Sequence, residues 1–213
     1  MVEGSLTQVP DDWPGELEIG VAGLAIEGEE RSGDLAVFAG YDGGALAAVI
    51  DGLGHGAEAA RAAGRAGAIV RASPGRDLAL LMKHCHIALR GTRGAAISLA
   101  FISTSAGGVT WLGVGNVEGR VVSGEPSATR PKGSLALGGG VAGYDLPAVR
   151  TAALKVRPGD VLIFATDGVD PSFADSLDVS GSTHAIAERI MARHRRPTDD
   201  ALVVAVRYLG VRR

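Results

Sequence analysis

The stretch AAVIDGLGHGAEAARAA, residues 47–63, joins three local patterns within seventeen positions. A run of small and branched apolar residues ends at Asp51, three alternating glycines follow, and an alanine-rich segment begins after Gly56. This order predicts a buried strand, a tight loop and a helix. Such a loop can either surround a phosphate with backbone amides or present Asp51 to a metal ion.

A dinucleotide-binding unit also begins with a strand, glycines and a helix, whose amides contact a pyrophosphate. Here Gly52, Gly54 and Gly56 alternate, whereas that fingerprint requires the spacing G-x-G-x-x-G. A second helix follows where the dinucleotide unit has a strand, and Asp51 would repel the pyrophosphate. The sequence therefore favours a metal ligand at Asp51 and leaves nucleotide binding as an alternative.

A second apolar strand ends in the same way, at Asp167-Gly168 within VLIFATDGV. Two further acidic sites border predicted strands, namely Asp34 and the pair Asp199-Asp200. Carboxylates collected at one site repel one another unless cations compensate them, and all-oxygen ligands select Mg²⁺ or Mn²⁺. Each aspartate taken singly also suits a solvated turn, and their spacing does not show that they converge.

The composition predicts one globular domain rather than a disordered or polyanion-binding chain. Of 213 residues, 46% are hydrophobic and 21% are charged, so a sizeable core is available. The net charge of -3 gives no reason to expect nucleic acid as a partner. There is one cysteine, no signal-peptide pattern and no apolar run long enough for a membrane span. These features predict a cytoplasmic protein without a membrane partner.

The order of predicted elements favours an α+β fold. The segments LEIGVAGLAIEG, DLAVFAG and ALAAVID are expected to form a β-meander, and two helices follow within residues 55–73 and 76–91. Cys85 lies on the apolar stripe of the second helix and is predicted to be a core residue. Further strands precede a helix over residues 183–195 and a last apolar strand. Meanders grouped around central helices are typical of α+β proteins.

Six motifs occur together and in a fixed order: SGD (32–34), AVIDGLGHG (48–56), TRGAAISLAFI (92–102), GVGNVEG (113–119), ATDGV (165–169) and TDDALVVAV (198–206). As a set they resemble the metal-dependent serine/threonine phosphatases of type 2C, also called PPM. Within that family the chain is most similar to the sporulation-and-stress branch and its RsbX-type phosphatases of the stressosome. The resemblance covers about residues 18–209, and we expect a leader over residues 1–17 and a single domain over 18–213.

This resemblance implies a four-layer α-β-β-α sandwich of two antiparallel sheets flanked by helices, with two Mn²⁺ or Mg²⁺ ions between the sheet ends. It implies that Asp51 bridges both ions and that the Gly52 carbonyl binds one of them. Asp167 would hold the other ion, and Asp34 would act through waters. The ions would activate a bridging water for attack on phosphorus.

The last motif offers two adjacent carboxylates as the remaining metal ligand. The resemblance favours Asp199, because the final family motif begins with the ligand, and Asp200 is the alternative. Successive side chains of a strand point to opposite faces, so one of the two is expected to point away from the metals. The implied substrate is a phosphoserine or phosphothreonine in a regulatory protein, of the stressosome scaffold or antagonist type.

Three departures from the family pattern define the competing hypothesis. Leu53 occupies the place of a histidine that protonates the leaving oxygen, and His55, two residues later, is the substitute candidate. The phosphate-binding arginine has no match, since Glu29 lies near its place and Arg31 is too close to the first acidic motif. Leu202 replaces a terminal threonine or serine. A catalytically weak or inactive binding module on the same fold is therefore the alternative function.

Overall fold

The computed structural model describes residues 9–73, 77–125, 132–175 and 177–211. The strands, numbered in chain order, are β1 (Leu17–Leu24), β2 (Asp34–Tyr41), β3 (Gly44–Gly52), β4 (Ala95–Ser103), β5 (Gly108–Val114), β6 (Glu118–Val122), β7 (Gly133–Ser134), β8 (Leu137–Gly138), β9 (Ala152–Lys155), β10 (Val161–Ala165) and β11 (Ala201–Tyr208). The α-helices are α1 (Gly56–Arg71), α2 (Leu78–Leu89) and α3 (Thr183–His194).

Two stacked sheets form the centre of the molecule. One sheet has the strand order β1-β11-β10-β6-β7, and the other has the order β2-β3-β4-β5-β8 with β9 also paired to β5. Neighbouring strands are antiparallel except for the short parallel pair β5–β8. The predicted α+β class and the sandwich of two sheets flanked by helices are confirmed.

The first strand does not belong to the predicted meander. β1 pairs along its whole length with β11, from Leu17 opposite Tyr208 to Leu24 opposite Ala201. The meander instead consists of β2, β3, β4 and β5, in the other sheet. The prediction was wrong because the alternation of apolar residues defines a strand but carries no information about a partner that lies far along the chain.

Three hydrophobic clusters separate the four layers. One lies between the sheets, one lies between β2–β5 and the helices α1 and α2, and one lies under α3. The central strand β3 contributes to two of them, because successive side chains point to opposite faces. Ala45, Ala47 and Val49 face the other sheet, whereas Leu46 and Ile50 face the helices. A strand buried on both faces explains the nearly continuous apolar run before Asp51.

The helices bury the faces that the sequence predicts. The buried residues of α2 are Leu78, Leu81, Met82, Cys85 and Leu89, which form the predicted apolar stripe. Burial raises the pKa of the Cys85 thiol to about 12. The core role of Cys85 is therefore confirmed. The carboxylate of Asp77 accepts a hydrogen bond from the Leu80 amide at the start of α2, and Ser182 accepts one from Ala185 at the start of α3.

Part of the predicted leader is packed against the domain. The Trp13 ring meets Phe38 edge-on with ring centroids 5.3 Å apart, and its indole N–H donates to the Leu17 carbonyl. Residues 1–8 of the leader and Pro74-Gly75 of the predicted break between the helices lie outside the described residues. In the described part of the chain, no helix has the length and apolar character needed to cross a membrane.

Two glycine substitutions should test the packing of the layers. A Cβ on Gly20 of β1 would lie 2.1 Å from the backbone of α3, whereas a Cβ on Gly64 of α1 would meet no atom within 4 Å. We expect Gly20→Ala to lower the free energy of unfolding by about 2 kcal/mol or more, because α3 must move off its sheet. Gly64→Ala should raise it by about 0.5–1 kcal/mol. Urea unfolding of both variants measures this, and equal stabilities would contradict the packing of α3 on β1.

Candidate functional site

Five aspartates lie at one end of the sandwich, although they are far apart in the chain. Asp34 opens β2 and is directly opposite Asp51 on β3. Asp167 follows β10, and the pair Asp199-Asp200 precedes β11, to which β10 is paired. The fold therefore brings together the carboxylates on which the sequence analysis centred.

Asp34 is one of two fully buried acids of the cluster, the other being Asp200. The pKa of Asp34 is raised well above its usual range, first by burial and second by the charge of Asp51. A hydrogen bond from the Thr166 hydroxyl, 2.8 Å from Oδ2, opposes this rise. The Thr166 hydroxyl also accepts the Leu202 amide of β11 at 2.9 Å, and its bond to Asp34 of β2 connects the two sheets at this end.

Asp51 has its pKa raised to about 8. Burial is the largest cause, and the charges of Asp167, Asp199 and Asp200 add to it. A hydrogen bond from the Asn116 side chain acts in the opposite direction. Asp51 is thus surrounded by one neutral hydrogen-bond donor, Asn116, and by several carboxylates that repel its charge.

Asn116 is a site residue that the sequence analysis missed. Its side-chain amide lies 2.6 Å from Oδ2 of Asp167 and also affects Asp51, so it contacts acids from both sheets. The pKa of Asp167 is raised by partial burial and by Asp199, while Arg196 and Asn116 lower it. The available signal was the position of Asn116 two residues after the end of β5, within GVGNVEG. Thr166, also missed, directly precedes Asp167.

The adjacent acids Asp199 and Asp200 have different surroundings. Asp200 is buried, and its two oxygens accept from the backbone amides of Ile26 at 2.8 Å and Gly33 at 2.6 Å. Asp199 is only half-buried, and its described hydrogen bond is with the Asp200 amide. Asp200 therefore holds the segment between β1 and β2, whereas Asp199 keeps an oxygen without a described partner.

Each Asp-Gly pair needs its glycine for space. A Cβ on Gly52 would lie 2.2 Å from the Ala59 carbonyl oxygen of α1. A Cβ on Gly168 would lie 1.8 Å from the Asp200 carbonyl oxygen. Both glycines allow a second backbone segment to approach the strand end, which explains why the two strands end alike.

His55 is the N-cap residue of α1, but its side chain does not cap the helix. The imidazole Nδ1 lies 2.8 Å from Oε1 of Glu29, and 55% of the His55 side chain is exposed. The described contacts of His55 are therefore with Glu29 and not with the aspartates. Glu29 also lies against Gly56, where an added Cβ would come within 2.6 Å of its carboxylate.

The loop after β3 is not arranged as a phosphate cradle. The Gly52 amide donates to the Gly33 carbonyl at 3.0 Å, and the Leu53 amide donates to the Gly94 carbonyl at 3.1 Å. The carboxylate of Glu29 lies at the start of α1. Amides that already donate within the protein, together with an acid at the helix start, disfavour the nucleotide-binding alternative.

Comparison with known proteins identifies the family. The family model described as Stage II sporulation protein E matches residues 41–209, which include four of the five clustered aspartates, all except Asp34. The chain belongs to the SpoIIE family. This match confirms the prediction that the chain is related to the PPM-type phosphatases of the sporulation and stress branch. No curated protein matches this SpoIIE-family chain significantly.

Solved structures share the fold of this SpoIIE-family chain. One, described as "The bacterial stressosome: a modular system that has been adapted to control secondary messenger signaling", is 31% identical, with a TM-score of 0.80 over 90% of this chain and 99% of its own. RsbX in complex with magnesium is 23% identical, with a TM-score of 0.76 over 91% and 96%. The PP2C phosphatase domain of SpoIIE from Bacillus subtilis is 21% identical, with a TM-score of 0.65 over 90% and 63%.

The donor chemistry of this SpoIIE-family site fits hard divalent cations. Within residues 9–73, 77–125, 132–175 and 177–211, no three His, Cys, Asp or Glu side chains are already close enough to hold one metal ion. The carboxylates are nevertheless near enough to raise the pKa values of Asp34, Asp51 and Asp167. An all-carboxylate set with this mutual repulsion suits Mg²⁺ or Mn²⁺, because a cation would remove the repulsion as the side chains close on it.

Neutralising Asp51 should stabilise the metal-free SpoIIE-family protein at high pH. The pKa of about 8 in the folded state exceeds the value near 3.9 expected when unfolded. Stability present at low pH is therefore lost as the pH rises toward and through 8, when Asp51 must ionise beside its neighbours. We expect Asp51→Asn to raise the metal-free melting temperature at pH 9 by about 4 °C or more, with a smaller effect at pH 6.

Differential scanning calorimetry in the presence of a chelator measures this effect. Asp175→Asn, at an exposed position, is the matched control and should leave the pH dependence unchanged. Saturating Mn²⁺ should raise the melting temperature of the wild type at pH 9. It should raise the melting temperature of Asp51→Asn by a smaller amount. If the melting temperatures of the wild type and of Asp51→Asn depended on pH in the same way, ionisation of Asp51 would not be the cause of the lost stability.

Proposed function

We propose that this protein is a metal-dependent phosphoserine/phosphothreonine protein phosphatase. It would act on regulatory proteins of a stressosome or sigma-factor partner-switching pathway. The observation that carries the proposal is the convergence of five aspartates from both sheets on one end of the sandwich, with the pKa values of three of them raised. Membership of the SpoIIE family supports the same reaction class.

The proposed ligands come from both sheets. Two Mn²⁺ or Mg²⁺ ions would be held by Asp51, the Gly52 carbonyl, Asp167 and Asp199, with Asp51 as a ligand of both. Bound ions would supply Lewis acidity, activating water and neutralising charge on the phosphoryl oxygens. Asn116 would orient the carboxylates of Asp51 and Asp167 by donating to them.

The assignment of Asp199 rather than Asp200 rests on their hydrogen bonds. Both oxygens of Asp200 already accept backbone amides, so a metal would compete with the bonds that hold residues 25–33. Asp34 accepts from Thr166 through one oxygen, which leaves the other to act through waters as the family pattern implies. Asp200 would therefore support the site through the backbone and Asp34 through solvent.

His55 is the proposed proton donor to the leaving oxygen. Its Nδ1 is held by Glu29, and Nε2 has no described hydrogen bond, so the ring can present Nε2 outward. A carboxylate on Nδ1 fixes the orientation of an imidazole. Leu53, in the place of the family histidine, has an exposed side chain without a proton to give.

The proposed partner is a phosphorylated regulatory protein. The 31% identical relative is described by its part in the bacterial stressosome, and the related fold of RsbX was solved with magnesium. We extend the phosphoprotein partner and the metals from these relatives to this chain, over a single domain of residues 18–213. The one cysteine, Cys85, is buried and forms no internal disulfide, in keeping with a cytoplasmic location.

Hydrolysis of a phosphoserine peptide tests the proposed function. We expect release of inorganic phosphate with Mn²⁺ and none after chelation. Asp51→Asn should lower kcat/KM by at least about a hundredfold, because the shared ligand of both ions is lost. Asp175→Asn should retain full activity. Tight Mn²⁺ binding without hydrolysis of any phosphopeptide would favour the binding-module alternative, and absence of both Mn²⁺ binding and hydrolysis would refute the proposal.

The paired variants Asp199→Asn and Asp200→Asn separate a metal ligand from a backbone anchor. Asp199→Asn should weaken Mn²⁺ binding at least about tenfold in calorimetric titration, with little change in metal-free stability. Asp200→Asn should lower the metal-free free energy of unfolding by about 2 kcal/mol, because an amide cannot accept from both Ile26 and Gly33. Faster hydrogen exchange over residues 26–33 should accompany it. If Asp200→Asn instead weakened Mn²⁺ binding and Asp199→Asn lowered the metal-free stability, Asp200 would be the metal ligand and Asp199 the backbone anchor.

A further inference from the structure

The proposed substrate creates an electrostatic problem at this site. A phosphomonoester is a dianion near neutral pH, and it must approach five aspartates. Metal ions would offset part of that repulsion, yet a side-chain cation that grips the phosphoryl oxygens would also fix their orientation. The arginine that serves this purpose in the family pattern is missing from its usual place, where this chain has Glu29 instead.

Arg93, in the segment between α2 and β4, brings a guanidinium to the loop that follows Asp51. A Cβ built on Gly54 would lie 2.8 Å from Nη1 of Arg93, so the guanidinium lies directly over that glycine. Gly54 has φ +81, a conformation that suits glycine. Because glycine has no Cβ, this position also leaves room for the arginine. Arg93 is exposed, and among the described residues it has neither an ion pair nor a hydrogen bond to its side chain.

The backbone on both sides of Arg93 is held in place. The Thr92 carbonyl accepts the Tyr144 hydroxyl at 2.8 Å, and the Thr92 hydroxyl accepts the Gly94 amide at 3.0 Å. The Gly94 carbonyl accepts the Leu53 amide at 3.1 Å, which joins this segment directly to the Asp51 loop. A guanidinium on a fixed segment loses less freedom when it binds an anion than one on a free loop.

Two other arginines described near the cluster, Arg195 and Arg196, are already engaged. Arg196 donates to the Asp170 carboxylate at 2.9 Å and to the Asp167 carbonyl at 3.3 Å. Arg195 donates to the Ala25 carbonyl at 3.2 Å. These bonds hold the polypeptide around the site, whereas the Arg93 guanidinium lies over Gly54 without a described partner and is available to a ligand.

We infer that Arg93 binds the phosphoryl group of the substrate and positions it over the aspartate cluster. This inference rests on the proposed phosphatase function and adds a binding residue to it. The planar guanidinium can donate two parallel hydrogen bonds to phosphoryl oxygens, which a lysine ammonium cannot reproduce. The phosphate-binding cation therefore comes from the segment before β4 in this chain, and not from the segment before β2.

Three variants test the inference. Arg93→Ala removes the guanidinium, Arg93→Lys keeps the charge without the planar fork, and Arg61→Ala is the control. Arg61 is exposed on α1 and paired with Glu58 at 2.9 Å, so its removal changes the net charge equally, away from Gly54. For each variant we would measure kcat and KM on a phosphoserine peptide with Mn²⁺, and the calorimetric dissociation constants of inorganic phosphate and Mn²⁺.

Arg93→Ala should raise KM and weaken inorganic phosphate binding at least about tenfold, because charge-assisted hydrogen bonds are lost. Arg93→Lys should recover part of that loss, and Arg61→Ala should stay within twofold of the wild type. Mn²⁺ affinity should be the same in all variants, since Arg93 binds phosphate rather than the metal ligands. KM and phosphate affinity within twofold of the wild type in Arg93→Ala would overturn the inference.

Phosphate binding keeps this test separate from the test of catalysis. If the wild type hydrolyses no phosphopeptide, the proposed function fails, but the calorimetric affinity for inorganic phosphate still decides whether Arg93 contacts it. Loss of phosphate affinity confined to the Arg93 variants would then support a phosphate-binding role in an inactive protein. A wild type that binds no phosphate would refute the role of Arg93 directly.

Discussion

Repulsion among carboxylates is the constraint on which the arrangement of the site depends. Asp34 and Asp51 are opposite each other on adjacent strands, a placement in which like charges destabilise a sheet. The described side chains that bond to them, Thr166 and Asn116, are neutral donors. These donors fix the orientation of the acids without cancelling their charge. Ionisation of all these acids is therefore unfavourable without a cation, and the burial of three hydrophobic clusters must offset its cost.

The same residues that shape the site also join the two sheets. Thr166 at the end of β10 donates to Asp34 of the opposite sheet, and Asp200 before β11 accepts the Gly33 amide just before β2. Leu202, which replaces the terminal threonine or serine of the family, is buried between the sheets and shares backbone bonds with Thr166. The departure at Leu202 is therefore accommodated by packing. Sheet stacking and carboxylate positions are set by one group of contacts.

Periodicity in the sequence was sufficient to predict the longer strands, the helices and the buried face of α2, because each depends on residues close in the chain. It did not predict the two-residue strands β7 and β8, which are too short to show a period. It did not reveal that β1 pairs with β11, since that choice depends on contacts between the chain ends. Asn116 and Thr166 were missed because a neutral polar residue beside a strand end has no distinctive spacing. The Asp-Gly pairs were recognised, but the close approach of Asp200 to Gly168 is visible only in three dimensions.

The question posed by the loop after Asp51 has a physical answer in its hydrogen bonds. The amides of Gly52 and Leu53 donate to protein carbonyls, and Glu29 lies at the start of α1, so the loop offers a phosphate little positive character of its own. Cations for an anionic ligand must then come from elsewhere. Metal ions on the aspartates would supply one part, and the bond between Leu53 and Gly94 brings Arg93 to the same loop to supply another. The loop therefore follows the carboxylate of Asp51 on one side and contacts the segment that carries the Arg93 guanidinium on the other.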